Sequence, residues 1–232
     1  MKRAALVFAA LALCHASSLE AYSWDAYSFG VKAGFITANT TETPAGWMDS
    51  SFKNGFAGGI SVEYPFTVNL SLQPELLYVA KGQNGGIATS SVTIDFTSSL
   101  SYIEIPILAK LTMATRSSFR PCFFVGPSIG INIGADLDIE GEYLSTGEHF
   151  AGSADYSDVV NRTELGFVFG LGFGYAAGPG VVTLDGRFNL GLTKVYKGGK
   201  VVREIDGEEV TETVYEGESK NIGFALLLGY AF

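Results

Sequence analysis

Two cysteines, Cys14 and Cys122, are all that 232 residues contain. Cys14 lies in an N-terminal leader, so an exported mature chain keeps one thiol and forms no disulfide within itself. Histidine is as scarce, at two. His15 shares the leader, which leaves His149 as the one imidazole for acid–base or metal chemistry. Outside the N-terminus no run of eighteen apolar residues occurs, so no helix of this chain is expected to span a bilayer. Basic residues are few, 15 against 24 acidic, for a net charge of −9. Nucleic acid is therefore disfavoured as a partner, because it needs a positive footprint. What remains is hydrophobic (47%), poor in charge (17%) and rich in Gly (29), Phe (17) and Tyr (11). Disordered chains lack this aromatic load, and the length suits one domain. A chain apolar on average, without a spanning helix, suits a β-barrel in lipid.

The N-terminus has its own grammar. Lys2 and Arg3 precede an apolar run over residues 4–14, followed by small and polar residues. A charged start, a short apolar stretch and a cleavage zone make a secretory signal peptide, expected over residues 1–21, with the barrel over 22–232. The run is too short to remain as an anchor. Cleavage after Ala16, Ser18 or Ala21 fits equally, and Leu13, where a small residue is needed, argues against a lipid on Cys14. Losing Lys2, Arg3 and Glu20 takes the basic residues from 15 to 13 and the acidic from 24 to 23, a mature net charge of −10.

Alternation with a period of two then recurs along the chain, the mark of strands with unlike faces. Eight segments carry it, at about residues 27–36, 55–64, 70–81, 100–111, 121–133, 164–175, 181–193 and 221–232. The sixth is the clearest: Leu165, Phe167, Phe169, Leu171, Phe173 and Tyr175 alternate with Glu164, Gly166, Val168, Gly170, Gly172 and Gly174. Strands of roughly ten to thirteen residues match what a tilted strand needs to cross the hydrocarbon layer. The connections run long, short, long, short, long, short, long. Short turns belong on the periplasmic side and long loops outside. The expected fold is all-β: an eight-stranded antiparallel up-and-down transmembrane β-barrel with short periplasmic turns and long extracellular loops.

The last strand alternates strictly. Ile222, Phe224, Leu226, Leu228, Tyr230 and Phe232 share one face, and Asn221, Gly223, Ala225, Leu227, Gly229 and Ala231 the other. An aromatic last residue with hydrophobics at every second position before it resembles the terminal assembly signal of bacterial outer-membrane barrels. Phe224, Leu226, Leu228, Tyr230 and Phe232 are the residues that the barrel-assembly machinery is expected to read.

Which face meets lipid follows from where the charges fall. Across the eight strands the large apolar face carries no charge apart from Lys220 at the outer end of the last. The other face carries glycine, serine and eight charges: Lys32, Glu63, Glu75, Lys81, Glu104, Lys110, Asp185 and Arg187. Glu164 shares that face but is expected at the rim, outside the set. A soluble eight-stranded barrel hides its apolar face within and shows charge outside. Here glycine makes sense in a narrow lumen, where it leaves room for long neighbours. The eight charges split four and four, so they are expected to pair into a network that plugs the interior. A conducting path is the alternative use of such a lumen.

Several segments travel together in one family: GVKAGF (30–35), LSLQPELLYVAKG (70–82), YIEIPILAK (102–110), VGPSIG (125–130) and LDGRFNLGLTKV (184–195). Together they resemble the porin-family outer-membrane β-barrel domain, the PorT-like group common in Bacteroidota. Val79, Ala80 and Leu111 depart mildly from its pattern. The resemblance implies location and architecture, since most members have no assigned activity.

Chemistry is thinly represented. His149 has Ser145, Ser153 and Asp155 near it in sequence, which is more often a solvated loop than a catalytic set. Asp136, Asp138, Glu140 and Gly141 begin like a calcium loop, but Gly147 stands where a bidentate glutamate is required. A strand extension with one acidic face reads better. Asp206-Gly207 signals a hairpin between alternating stretches. Two readings stay open there, a ribbon continuing strands seven and eight outward and a charged solvated loop. No catalytic residue, metal ligand or cofactor is assigned. The expected protein is a closed, non-enzymatic barrel of the outer membrane, held by its lipid, with a role in envelope structure or surface interaction through acidic loops that can meet a protein partner. A narrow pore is the alternative, and a lipid-modifying enzyme the third reading.

Overall fold

The computed structural model describes residues 27–41, 49–113, 118–205, 208–214 and 218–232. The expected leader lies outside the described residues. Among them, eight strands form a ring: β1 (Ser28–Thr40), β2 (Asp49–Pro65), β3 (Leu70–Ala88), β4 (Val92–Thr112), β5 (Phe119–Tyr143), and then β7 (Thr163–Ala177), β8 (Gly180–Gly191) and β11 (Asn221–Ala231). Three shorter strands stand above them, β6 (Glu148–Asp155), β9 (Gly199–Ile205) and β10 (Glu208–Val214). Each ring strand pairs antiparallel with the next. The ring closes where β1 meets β11, from Gly30 opposite Ala231 to Thr40 opposite Asn221. Closure leaves no open edge in the membrane-crossing wall, the condition a sheet must meet in lipid.

The wall sorts its residues by parity. Along β1, Phe29, Val31, Ala33 and Phe35 are exposed while Ser28, Gly30, Lys32 and Ile36 are buried. The same division places Leu76, Ile105, Ile129, Phe169, Leu171, Phe224, Leu226 and Leu228 outside. No solvent-facing surface needs a continuous band of this kind, whereas lipid does. At the short-turn end the band finishes in packed rings. Tyr27 lies 4.8 Å from Tyr64, Tyr64 lies 5.1 Å from Phe66, and Tyr230 lies 5.1 Å from Phe232.

The long connections turn out to be largely β-structure. The stretch 82–99 is a continuation of β3 and β4, joined by a tight turn at residues 89–91. The stretch 133–163 holds the upper part of β5, then β6, then a short 3-10 turn at Ser157–Val159. Its acidic run is a strand, as the alternation of Leu137 and Ile139 with the carboxylates suggested. The 206–207 turn lies outside the described residues, but the strands that flank it pair as a hairpin. That hairpin is not a straight continuation of the ring. Residues 192–198 break it from β8, and β9 pairs with β6 through Gly152 opposite Ile205 and Ser153 opposite Glu204. Hydrogen bonding to β6 draws the ribbon sideways into one sheet, β5–β6–β9–β10.

A bulge in β5 marks where wall becomes sheet. Tyr102 faces Asn132 but Ser101 faces Gly134, so Ile133 is the extra residue. Below it Ile129, Ile131 and Ile133 point outward; above it Asp136, Asp138 and Glu140 do. One inserted residue exchanges the two faces of everything beyond it. The apolar face thus turns inward at the level where lipid ends.

Candidate functional site in the barrel lumen

The candidate site is the lumen, built in layers by inward side chains. Nearest the short turns, Lys110 Nζ donates to Glu63 Oε2 (2.8 Å) and to Gln73 Oε1 (3.3 Å), while Ser71 Oγ donates to Glu63 Oε1 (2.6 Å). Above this, Lys32 Nζ bridges Glu75 Oε1 (3.0 Å) and Asp185 Oδ2 (2.6 Å). Arg187 reaches the same two carboxylates, at 2.5 Å and 2.8 Å on Glu75 and 2.8 Å on Asp185. Gln73 Nε2 completes Glu75 at 2.6 Å. Two cations thus face two anions, all buried.

An apolar layer follows. Ile36, Ala57, Leu77, Val79, Ala225 and Leu227 pack on one side, and Leu108, Phe124 and Val168 on the other, while Cys122 of the same cluster sits lower, beside Lys110 and Asp185. Glycine supplies the room: a Cβ on Gly170 would lie 2.7 Å from the Phe124 ring, and one on Gly229 would lie 2.9 Å from the Lys32 stem. The ring of Phe124 in turn lies 5.2 Å from the Arg187 guanidinium, a cation–π approach.

The upper polar layer centres on one ammonium among the described residues. Lys81 Nζ lies 2.5 Å from Glu104 Oε1 and 2.9 Å from Glu164 Oε1, and 5.0 Å from the centre of the Tyr102 ring. Asn221 Nδ2 donates to Glu164 Oε2 at 2.5 Å. Glu164, expected at the rim, is 7% exposed and belongs to this layer. Its position follows from the top of the barrel, which is roofed. Leu100, Tyr102, Ala135, Ala154, Tyr156, Val159, Val160 and Val195 form an apolar cluster across the mouth. Backbone bonds hold the roof: Tyr156 N to Ala135 O (3.0 Å), Asn161 N to Val195 O (2.7 Å) and Lys197 N to Val159 O (2.9 Å). Tyr156 also meets Ser98 through their hydroxyls, and burial pushes the Tyr156 hydroxyl above its ordinary range.

The eight sequence-selected charges all reach the lumen, and each takes part in an ion pair. Sequence reasoning placed Glu164 at the rim rather than in the lumen, and missed the apolar layer. Leu77, Val79 and Leu227 stood on the small face of their strands, and that position was the signal available. Cavities left between the layers measure about 10 Å³ beside Lys32 and Ser61, about 20 Å³ beside Cys122 and Thr183, and about 10 Å³ beside Glu104 and Leu77. Each has room for about one water and for no larger solute.

Outside the lumen, the other candidates disperse. His149 on β6 faces Glu142 on β5. Ser153 and Asp155 stand on the same face but four and six residues along the strand, roughly 13 Å and 20 Å away at the usual rise. They form no catalytic set with it. Asp136, Asp138 and Glu140 are likewise strung out at about 7 Å intervals along one strand face, too far apart to ring one ion.

Comparison with curated protein sequences gives no match. Solved structures with a similar course include Neisserial surface protein A, at 15% identity and a TM-score of 0.46, covering 91% of this chain and 98% of that one. A major outer membrane protein from Thermus thermophilus is 12% identical with a TM-score of 0.48, covering 89% and 100%. OprG from Pseudomonas aeruginosa is 11% identical with a TM-score of 0.44, covering 93% and 99%. The outer membrane protein beta-barrel domain matches residues 21–197, well over half of the sequence. With a closed ring of antiparallel strands and an outward apolar band, the chain belongs to the outer membrane protein beta-barrel domain family, and its place is the outer membrane.

Proposed function

We propose that this protein is a closed, non-enzymatic barrel that serves the envelope as a structural element and meets partners through its extracellular sheet. The observation that carries the reading is the filled lumen. Three polar layers, an apolar layer and a roof lie in series, and a solute would have to break ion pairs in several of them. Breaking one buried pair costs about 3–5 kcal/mol, so thermal opening of all layers at once is negligible. Above the membrane, Asp136, Asp138 and Glu140 give the sheet an acidic outer face, and among the described residues the far edge of β10 pairs with no strand. A sheet with an acidic face on β5 and a free edge at β10 suits an extended, basic segment of a protein partner.

Planar-bilayer recording tests the closure. The purified full chain should give no reproducible conductance steps, and regular steps would establish the narrow pore instead. Pull-down with the intact cell surface tests the partner. The segments around YIEIP (102–106) and the QPELLY stretch (73–78) support a finer placement with the PorT-like group. Export through a leader cleaved near residue 21 and insertion guided by residues 224–232 complete the proposed life history.

A further inference from the structure

A groove on the lipid-facing wall carries polar side chains. It lies over β1 between β2 and β11, measures about 600 Å³, and is bordered by Phe35, Phe224 and Leu226 with Thr37 and Asn54 at one end. Thr37 is the register partner of Asn54 on one side and of Phe224 on the other. Phe35 is 77% exposed, the most prominent of the outward hydrophobics on β1. Neither Thr37 nor Asn54 makes a side-chain hydrogen bond to another described residue. A polar side chain at the hydrocarbon boundary without a protein partner is costly unless something else satisfies it.

Height identifies what that something is. Phe29 marks the periplasmic end of the apolar band on β1, and Thr37 stands about eight residues further on. At roughly 3.3 Å per residue and a tilt of about 40°, that is about 20 Å up a band roughly 25 Å tall. Thr37 and Asn54 therefore sit just inside the outer leaflet, where acyl chains join their headgroups. Phe35, Phe224 and Leu226 lie around and below them, at acyl-chain depth.

We propose that this groove binds one acyl chain of outer-leaflet lipid A. The amide-linked 3-hydroxyacyl chain of that lipid offers an N–H, a carbonyl and a hydroxyl at the depth of Thr37 and Asn54. A threonine hydroxyl and an asparagine amide each donate and accept, so both can be satisfied by those three groups. Phosphatidylcholine brings only ester carbonyls and phosphate oxygens, which accept but do not donate, and leaves the Asn54 carbonyl unserved. The groove is continuous with the lipid-facing wall, so its occupant is a lipid of the surrounding leaflet.

Native mass spectrometry of the detergent-purified full chain tests this, with hexa-acylated lipid A and, separately, dipalmitoylphosphatidylcholine, which has no hydrogen-bond donor, as probes. The unaltered chain should retain one lipid A at least about tenfold more tightly than the phospholipid. A Thr37→Val, Asn54→Leu double variant should lose that preference, with its folding checked by heat-modifiable migration. Asn54→Ala alone, at an exposed position, gives the same readout should the double variant misfold, with a smaller loss. Equal retention of the two lipids by the unaltered chain overturns the proposal. So does a folded variant that keeps the preference.

Discussion

Glu75 and Arg187 meet across the full width of the barrel. Their strands, β3 and β8, lie on opposite sides of the ring, yet Arg187 Nη1 and Nη2 reach Glu75 Oε2 and Oε1 at 2.5 Å and 2.8 Å. A two-pronged pair of this kind fixes both orientation and distance. Lys32, from the wall midway between them, contacts Glu75 and Asp185 together. Opposite walls are thus tied through their charges as well as around the ring through backbone bonds.

Removing one member should leave an uncompensated buried charge. Arg187→Met is expected to destabilise the refolded barrel by about 3–5 kcal/mol. Glu75→Leu in the same chain should recover much of that loss, because the orphaned carboxylate is gone. Urea titration of the liposome-refolded protein reads both. A single variant as stable as the parent would show that the pair contributes nothing.

Leu171, on β7, is 68% exposed in the middle of the outward band. Leu171→Arg should cost roughly 2–4 kcal/mol in the same titration if that face meets mid-bilayer lipid. Leu171→Phe, which keeps the surface apolar, should be nearly neutral. Equal stability of the two variants would place this face away from the hydrocarbon.

The roof carries a pH dependence. The Asp155 carboxylate accepts a hydrogen bond from the Ser157 backbone N–H at 2.9 Å, and hydrogen bonding from Ser157 holds its carboxyl below the usual 3.8. A depressed carboxyl contributes above its unfolded value and loses that contribution as pH falls through the folded one. The protection factor of the Ser157 amide should therefore be constant above about pH 4 and fall at lower pH. Asp155→Asn should flatten the acid limb.

Deleting Phe232 separates assembly from stability. In the folded barrel this residue contributes one backbone bond, to Phe29 O at 2.7 Å, and a ring contact with Tyr230. The refolded truncated protein should lose about 1 kcal/mol. In cells its outer-membrane level should fall severalfold, if the terminal aromatic is what the assembly machinery reads. Normal levels would remove the role proposed for residues 224–232.

The eight wall strands could be read from the sequence because their two faces meet unlike media. Phe169 and Leu171 face lipid while Gly170 and Gly172 face a crowded lumen, so alternation in the chain mirrors a physical boundary. The extracellular part was less legible. In Asp136 to Glu140 the acids stay outward and exposed, with Leu137 and Ile139 between them. That pattern fits a strand, but the partner strand β6 lies beyond a turn at residues 144–147 with no strong signal of its own. The sideways course of β9 depends on two residue pairs with β6, which no local pattern announces.

Sequence alone determined the class of the protein and the chemistry of its two surfaces. A side-chain period of two and charges confined to one face are local facts, and they admit few folds. Which charge meets which, and whether the mouth is open, are not local. Lys81 takes Glu104 from the next strand but Glu164 from the far side of the lumen, because the radius of the closed ring brings them within 3 Å. Tyr156 and Val195 cover the mouth through backbone bonds between segments far apart in the chain. Only closure of the ring set those distances, since each is a property of the barrel's circumference and of no single strand.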